Sequence, residues 1–261
     1  MKEEMDYKLL LDTAVLAGKL MLSSGAEIYR VEDTICRILD KSGFKTREAF
    51  VMSTGFMVTL DDPKFDSMTV VRRVYDRDTN LYVISMVNTV SREFCSGQID
   101  LKTAFHRLKH MEETGQYTSW QKDLAAVGVS AMFAVVFGGA IQDVFGAAVA
   151  GVLLVLIGRL SNHLLLNGFM QTMLSSAAMA AAAAGLAGIP SLSISMDMVI
   201  VSAIMPIVPG AAITTALRDT LQGDYVSGGA KALEAFVKAA AIAIGVGFGI
   251  VLTGGGRLWM G

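Results

Sequence analysis

Residues 124–157 read LAAVGVSAMFAVVFGGAIQDVFGAAVAGVLLVLI, and Asp143 is the only ionisable side chain among them. A charge-free apolar stretch of about 18 residues is long enough to cross the hydrocarbon core of a bilayer as an α-helix. The stretch therefore predicts two consecutive membrane spans joined by a tight turn near Asp143. Later apolar stretches raise the predicted total to five spans, at residues 124–141, 144–160, 168–189, 198–217 and 235–252.

Charged residues are distributed very unevenly along the chain. Of the 46 charged side chains, 22 basic and 24 acidic, residues 1–123 contain 36 and residues 124–261 contain 10. Segments that face lipid exclude charge, whereas a domain in water carries it. We therefore predict two domains, a cytosolic α+β domain at residues 1–117 and an all-α transmembrane bundle of about five helices at residues 118–261.

The predicted cytosolic domain combines helical and strand patterns, with Ser23-Ser24-Gly25 as a turn between its first two helices. In chain order, the patterns predict helices at residues 7–22 and 26–41, paired strands within 44–60, a third strand at 67–75, and helices at 82–95 and 100–113.

Composition and motifs exclude several classes of protein. The net charge of −2 is close to zero and supplies no basic surface for nucleic acid. Cys36 and Cys95 are too few for a disulfide framework, and His106 and His110 have no third metal ligand beside them. The chain also lacks a Walker loop and a G-x-S-x-G motif. We expect no nucleic-acid partner, no cofactor, no metal and no catalytic residue.

Basic residues near the predicted spans indicate the orientation in the membrane. Cytosolic loops are rich in Lys and Arg, and a cytosolic N-terminal domain would place Lys122, Arg159, Arg218 and Lys231 in inside loops. Five spans would then put the C-terminus outside, against which Arg257 argues. The alternative is four spans with one apolar segment re-entrant or buried.

A proline-containing segment predicts a break in the fourth span. Pro206 and Pro209 remove two backbone donors within one helical turn, and Gly210 follows them directly. Broken helices are common substrate and ion sites in transporters, although a simple proline kink is the alternative. The candidate pathway comprises Asp143, Asn162, His163, Asn167, Pro206, Pro209, Gly210, Arg218 and Asp219. Asp143 is the first candidate for proton exchange and Asp219 the second.

A second group of candidates lies in the predicted cytosolic domain, where residues 24–32 read SGAEIYRVE. Acidic residues near a helix N-terminus complement the helix dipole, and Arg30 is spaced to pair with Glu27, so a structural role explains this motif on its own. The candidates in this domain are Ser24, Gly25, Glu27, Arg30, Glu32, Thr54 and Gly55.

Four elements in this order resemble the threonine/serine exporter family: SGAEIYRVE, the STGF segment at residues 53–56, the Gly138-Gly139 to Asp143 turn, and MPIVPG at residues 205–210 followed by Arg218-Asp219. The resemblance covers nearly the whole chain. It implies a cytosolic N-terminal domain, a five-span bundle, and export of threonine, serine or a related small dicarboxylate. Full-length members carry a second membrane module, so the chain looks like the larger half of a split transporter. Its expected partners are a small membrane subunit, or a second copy of the chain, and the lipid bilayer.

We therefore expect a multi-pass secondary transporter subunit in the plasma (inner) membrane that exchanges a small hydrophilic metabolite for protons. Two alternatives stay open at this stage. The first is a membrane-tethered, hydrolase-like enzyme that uses a hydroxyl in the turn Ser53-Thr54-Gly55. The second is a structural role for the N-terminal domain, as a cap over the cytosolic mouth of the bundle.

Overall fold

The computed structural model describes residues 6–75, 77–114 and 117–254. Within these ranges the fold consists of ten α-helices, two short 3₁₀ turns and one three-stranded sheet. The helices are α1 (Tyr7–Ser23), α2 (Ile28–Leu39), α3 (Leu81–Cys95), α4 (Leu101–Glu113), α5 (Ser119–Val136), α6 (Ile141–His163), α7 (Gly168–Ala187), α8 (Met196–Ala203), α9 (Gly210–Leu221) and α10 (Tyr225–Leu252). The strands are β1 (Thr46–Met52), β2 (Gly55–Asp62) and β3 (Phe65–Arg73).

The chain divides into two compact units, and neither is a continuous segment. The first unit comprises Met1–Gln116 together with Gly210–Leu233, and the second comprises Tyr117–Pro209 together with Glu234–Gly261. Helix α9 and the first two turns of α10 therefore belong with the N-terminal residues. The sequence predicts the membrane domain for all of these residues.

The first unit contains both helices and a sheet, as the sequence predicts for its N-terminal part. Strands β1, β2 and β3 form an antiparallel sheet in that order, and Met52 pairs with Gly55 across a two-residue turn. Helices α1 and α2 bury their apolar faces in the core of this unit, where Leu10, Met21 and Ile35 are almost completely inaccessible. The turn between these helices contains Gly25, whose φ of 80° is in the left-handed region that favours glycine.

The second unit is helical and packs largely through small side chains. Its buried core includes Ala150, Ala180 and Ala203 beside larger residues such as Leu154 and Met179. Small residues at helix contacts let backbones approach closely in a bilayer, where the hydrophobic effect does not drive helices together.

The prediction of five membrane spans is wrong. Among the described residues, only α6, α7 and α10 are both long and apolar enough to cross a bilayer. The predicted span 124–141 corresponds to α5, which ends at Val136 and whose first turns contain Gln121, Lys122 and Asp123, so its apolar stretch is too short. The predicted span 198–217 is divided between α8, with 8 residues, and α9, with 12. At about 1.5 Å per residue, neither helix reaches across a core of about 30 Å.

The break in the predicted fourth span is present. Helix α8 ends at Ala203, α9 begins at Gly210, and Pro206 and Pro209 lie between them. Each proline lacks the backbone N–H that would continue a helix, so the two prolines explain the interruption. The division between the two units falls at the same place, after Pro209.

Arg257, which bears on the predicted position of the C-terminus, lies outside the described residues.

Gly245 and Gly249 of α10 allow close contact with α7, and Gly249 gives a test of this packing. A Cβ atom at Gly249 would lie 2.2 Å from the carbonyl oxygen of Ala177, whereas one at Gly247 would meet none of the described atoms within 4 Å. Gly249→Ala is therefore expected to destabilise the second unit by about 1–3 kcal/mol, the usual cost of overpacking. Gly247→Ala is the matched control and should be neutral or stabilising. Thermal unfolding in detergent measures both, and equal stability of the two variants would contradict the close approach.

Candidate functional site

An ion cluster in the first unit joins the two sequence motifs that are farthest apart in the chain. We use this name for Glu27, Arg30, Arg218, Asp219 and Lys231. Glu27 lies just before α2, Arg30 lies in its first turn, Arg218 and Asp219 lie near the end of α9, and Lys231 lies in α10. The sequence predicts different domains for Glu27 and Arg218, but their side chains form an ion pair.

Asp219 is the most deeply buried member of the ion cluster, and both of its oxygens are used. Oδ1 accepts a hydrogen bond from the backbone N–H of Ile28 at 3.1 Å, and Oδ2 accepts one from Nζ of Lys231 at 2.7 Å. Lys231 also donates to the carbonyl oxygen of Ala26 at 3.2 Å. Ile28 is the first residue of α2, so Asp219 supplies the anionic cap that the side chain of Glu27 does not provide.

Glu27 is held in its charged form by two arginines. Its Oε2 lies 3.1 Å from Nη1 of Arg30, and its Oε1 pairs with Arg218. Burial raises the pKa of the Glu27 carboxyl, but its own backbone N–H, the Arg30 charge and the hydrogen bonds from both arginines outweigh burial. The pKa of Glu27 therefore lies below its usual value, and the carboxylate is ionised at neutral pH.

The other motif residues of the first unit stabilise its turns. Gly55 begins β2, and a Cβ atom there would lie 2.5 Å from the carbonyl oxygen of Arg72. The carbonyl oxygen of Thr54 accepts a hydrogen bond from the backbone N–H of Val74, and that of Ser24 accepts one from Asn80. Of the two hydroxyl residues in the turn of the enzyme alternative, Ser53 is buried and Thr54 is exposed.

Glu32 connects α2 to the sheet. Its Oε1 accepts a hydrogen bond from the backbone N–H of Val51 at 3.0 Å. Burial raises the pKa of Glu32, the Val51 hydrogen bond opposes that rise, and the nearby Asp224 adds to it, so the pKa lies above its usual value. Glu32 therefore binds a proton more readily than an exposed glutamate, which distinguishes it from Glu27.

The second unit contains a cavity of about 560 Å³ with a mixed charged, polar and apolar lining. That volume lies within the usual range for small-molecule sites. Helices α6, α7 and α10, which are apolar enough to span a membrane, contribute to the lining of the cavity. Asp123 of α5 and Ile207, which lies in the break after α8, complete it. The polar and charged side chains of the lining are Asp123, Arg159, Asn162, Gln171, Thr172, Ser175, Glu234 and Lys238.

The charges in the cavity are balanced and include one defined ion pair. Arg159 of α6 pairs with Asp123 of α5. Glu234 and Lys238 are four residues apart on α10, so they lie on one face of that helix. A cavity with two acids and two bases can meet both charges of a zwitterionic ligand.

Of the nine predicted pathway residues, one lines this cavity. Asn162 does so, whereas His163 ends α6, and Asn167 caps α7 by accepting a hydrogen bond from the backbone N–H of Met170 at 2.9 Å. Arg218 and Asp219 belong to the ion cluster of the first unit instead.

Asp143 has a clear structural role. Its Oδ2 accepts a hydrogen bond from the backbone N–H of Ala140 at 2.9 Å, and its Oδ1 accepts one from the backbone N–H of Ser195 at 2.7 Å. The carboxylate thus caps the start of α6 and fastens the loop before α8. These two hydrogen bonds are sufficient to explain why this acid is buried, and its role in proton exchange stays a prediction.

Several cavity residues were not predicted as site residues from the sequence. Asp123 looks like an ordinary solvated charge before an apolar helix, and Ser175 lies in an alanine-rich segment. The spacing of Glu234 and Lys238 was visible in the sequence, but it indicated only an ion pair within one helix. No local signal marks these positions, because the cavity is assembled from helices that are distant in sequence.

Comparison with known proteins identifies one family. The family model ThrE, described as "Putative threonine/serine exporter", matches residues 12–253, which is most of the chain. No curated protein and no solved structure matches the chain.

Proposed function

The chain belongs to the ThrE family of threonine/serine exporters, and from this membership we propose that it is a subunit of a secondary transporter that exports threonine, serine or a related small carboxylate. Family membership and the three apolar helices identify it as a membrane protein. We further propose that it is a multi-pass protein of the plasma membrane with the N-terminal residues in the cytosol. The distribution of charged residues along the chain supports that orientation.

The observation that carries this proposal is the polar cavity among helices α6, α7 and α10. A water-soluble metabolite needs polar contacts to cross a bilayer, because burying an unpaired charge in a low-dielectric medium is very costly. The cavity combines the Arg159–Asp123 ion pair with the amides of Asn162 and Gln171. A zwitterionic amino acid would find partners there for both its carboxylate and its ammonium group.

We propose that a proton gradient drives export and that the proton is exchanged at Glu234. This acid lines the cavity, where protonation and substrate binding would influence each other directly. Asp143 was the first candidate from the sequence, but both of its oxygens accept hydrogen bonds from backbone N–H groups. Those two hydrogen bonds give Asp143 a structural role at the start of α6, whereas Glu234 lines the cavity itself.

Efflux from cells that overproduce the chain tests the function and the coupling together. Cells loaded with threonine should export it faster than cells without the chain, and an uncoupler should abolish the gain. We expect Glu234→Gln to export threonine with little response to the gradient. Asp143→Asn should keep the response but be less stable, by about 1–3 kcal/mol, because one backbone N–H loses its acceptor.

Two results would contradict these proposals. Unchanged efflux of threonine, serine and succinate on overproduction would contradict the function. A gradient response that is intact in Glu234→Gln but lost in Asp143→Asn would return the proton site to Asp143.

A second small membrane subunit, or a second copy of the chain, is also part of the proposal. Reconstitution of the chain alone in liposomes tests that requirement, since robust efflux without a partner subunit would contradict it.

A further inference from the structure

Two adjacent serines of α7 have hydroxyl groups without a partner. Ser175 and Ser176 are both buried, and among the described residues neither Oγ has a hydrogen bond. Two other buried serines in helices of this unit, Ser130 and Ser202, donate to the carbonyl four residues earlier. A buried hydroxyl without a partner is destabilising, so each one needs an explanation.

The surroundings of the two hydroxyl groups differ. Ser176 lies against α10, because a Cβ atom added at Gly245 would come within 2.9 Å of the Cβ atom of Ser176. Ser175 instead lines the cavity. It lies beside Gly158 of α6, where a Cβ atom would come within 3.7 Å of the Ser175 Oγ and 3.8 Å of Nε2 of Gln171. Gly158 therefore places no side chain between α6 and the Ser175 hydroxyl.

We propose that the Ser175 hydroxyl forms a hydrogen bond with the side-chain hydroxyl of a bound threonine or serine and so determines specificity for hydroxylated amino acids. This inference rests on the proposed transport function. Arg159 and Glu234, which line the same cavity, offer opposite charges for the two charged groups that all amino acids share. The neutral hydroxyl of Ser175 is suited to the part of the ligand in which amino acids differ.

A site that binds a substrate hydroxyl rejects an analogue without it, because the buried polar group of the site then stays unpaired. Valine is the appropriate analogue, since it replaces the threonine hydroxyl with a methyl group and keeps the shape. A single neutral hydrogen bond corresponds to a preference of about 2- to 10-fold. We therefore expect the parent protein to bind threonine several-fold more tightly than valine.

Binding of L-threonine and L-valine to the purified full-length chain in detergent, measured by calorimetry, tests the inference. In Ser175→Ala the preference for threonine should fall to about 1, mainly because threonine binds more weakly. Ser176→Ala is the matched control, since it removes an equally buried and unpartnered hydroxyl that does not line the cavity. It should keep the preference of the parent. Neither variant should unfold at a lower temperature, because each loses an unpaired polar group.

The possible results separate failure of the inference from failure of the proposed function. If the parent binds neither amino acid, the inference is overturned, whereas the proposed function is contradicted only when overproduction also leaves the efflux of threonine, serine and succinate unchanged. If the parent prefers threonine and Ser175→Ala keeps that preference, the inference is overturned and the function stands. Equal loss of preference in Ser176→Ala would also overturn it, because the effect would then come from the packing of α7.

Discussion

Asp219→Ala is expected to destabilise the first unit by about 3–5 kcal/mol, the typical cost of breaking a buried ion pair by removing one partner. The change leaves the Lys231 ammonium, whose side chain is only 12% exposed, without a carboxylate. It also removes the acceptor for the backbone N–H of Ile28, so the start of α2 loses its cap. Denaturant unfolding and hydrogen exchange of the first turns of α2 measure the two effects.

Two further variants make this prediction specific. Asp33→Ala removes an acid of α2 that pairs with Arg37 at the surface, where both side chains are about half exposed. It should cost less than about 1 kcal/mol. In the double variant Asp219→Asn/Lys231→Met no buried charge is left alone, so part of the stability should return. If Asp219→Ala were as mild as Asp33→Ala, the ion cluster would not stabilise the first unit.

The elements of the N-terminal part could be predicted from the sequence because their signals are local. Ser23-Ser24-Gly25 marks the turn after α1, and the stretch with STG at its centre folds as the hairpin of β1 and β2. Apolar spacing within each segment is sufficient for such predictions. The proline break between α8 and α9 is likewise a property of a few neighbouring residues.

The span count failed because hydropathy along the sequence does not show where a helix begins or ends. The apolar stretch at residues 124–141 is interrupted in the structure, since α5 ends at Val136 and α6 begins at Ile141. Residues 198–217 are apolar enough to suggest a span, but the break divides them into two short helices. The second of these helices groups with the first unit and carries Arg218 and Asp219 to Glu27.

The ion cluster and the cavity could not be predicted because they depend on contacts between distant residues. The backbone of Ile28 and the side chain of Asp219 are 191 positions apart in the sequence. The helix dipole is enough to explain the SGAEIYRVE motif, and membrane topology is enough to explain the Arg218-Asp219 pair. Neither motif therefore predicts a contact with the other. Only the folded chain shows that the SGAEIYRVE motif and the Arg218-Asp219 pair form one structure.

Arg159→Gln is expected to weaken threonine binding by about 10- to 100-fold, the effect of losing a hydrogen bond of about 1.5–3 kcal/mol to a charged group. We assign Arg159 to the substrate carboxylate because it lines the cavity and is half exposed, although it also pairs with Asp123. Calorimetry with the purified chain gives the affinity. Arg159→Lys should be intermediate, since it keeps the charge but loses the planar fork that matches a carboxylate.

A control is needed because Arg159 also contributes to the predicted orientation in the membrane. Lys122→Gln removes a basic residue on the same predicted side, and Lys122 is exposed and outside the cavity lining. Its affinity for threonine should equal that of the parent. Equal weakening in both variants would indicate altered insertion and would contradict a binding role for Arg159.

Asp123→Asn separates the two substrate classes that the family resemblance leaves open. Arg159 would lose its ion-pair partner, so the cavity would become more positive. A dicarboxylate such as succinate should then bind more tightly, because one repelling carboxylate has been removed. The affinity for threonine should rise less. Its carboxylate can bind an Arg159 that no longer pairs with Asp123, but its ammonium group loses an acidic neighbour. If the ratio of succinate to threonine affinity did not rise in Asp123→Asn, the Arg159–Asp123 pair would not set the charge selectivity of the cavity.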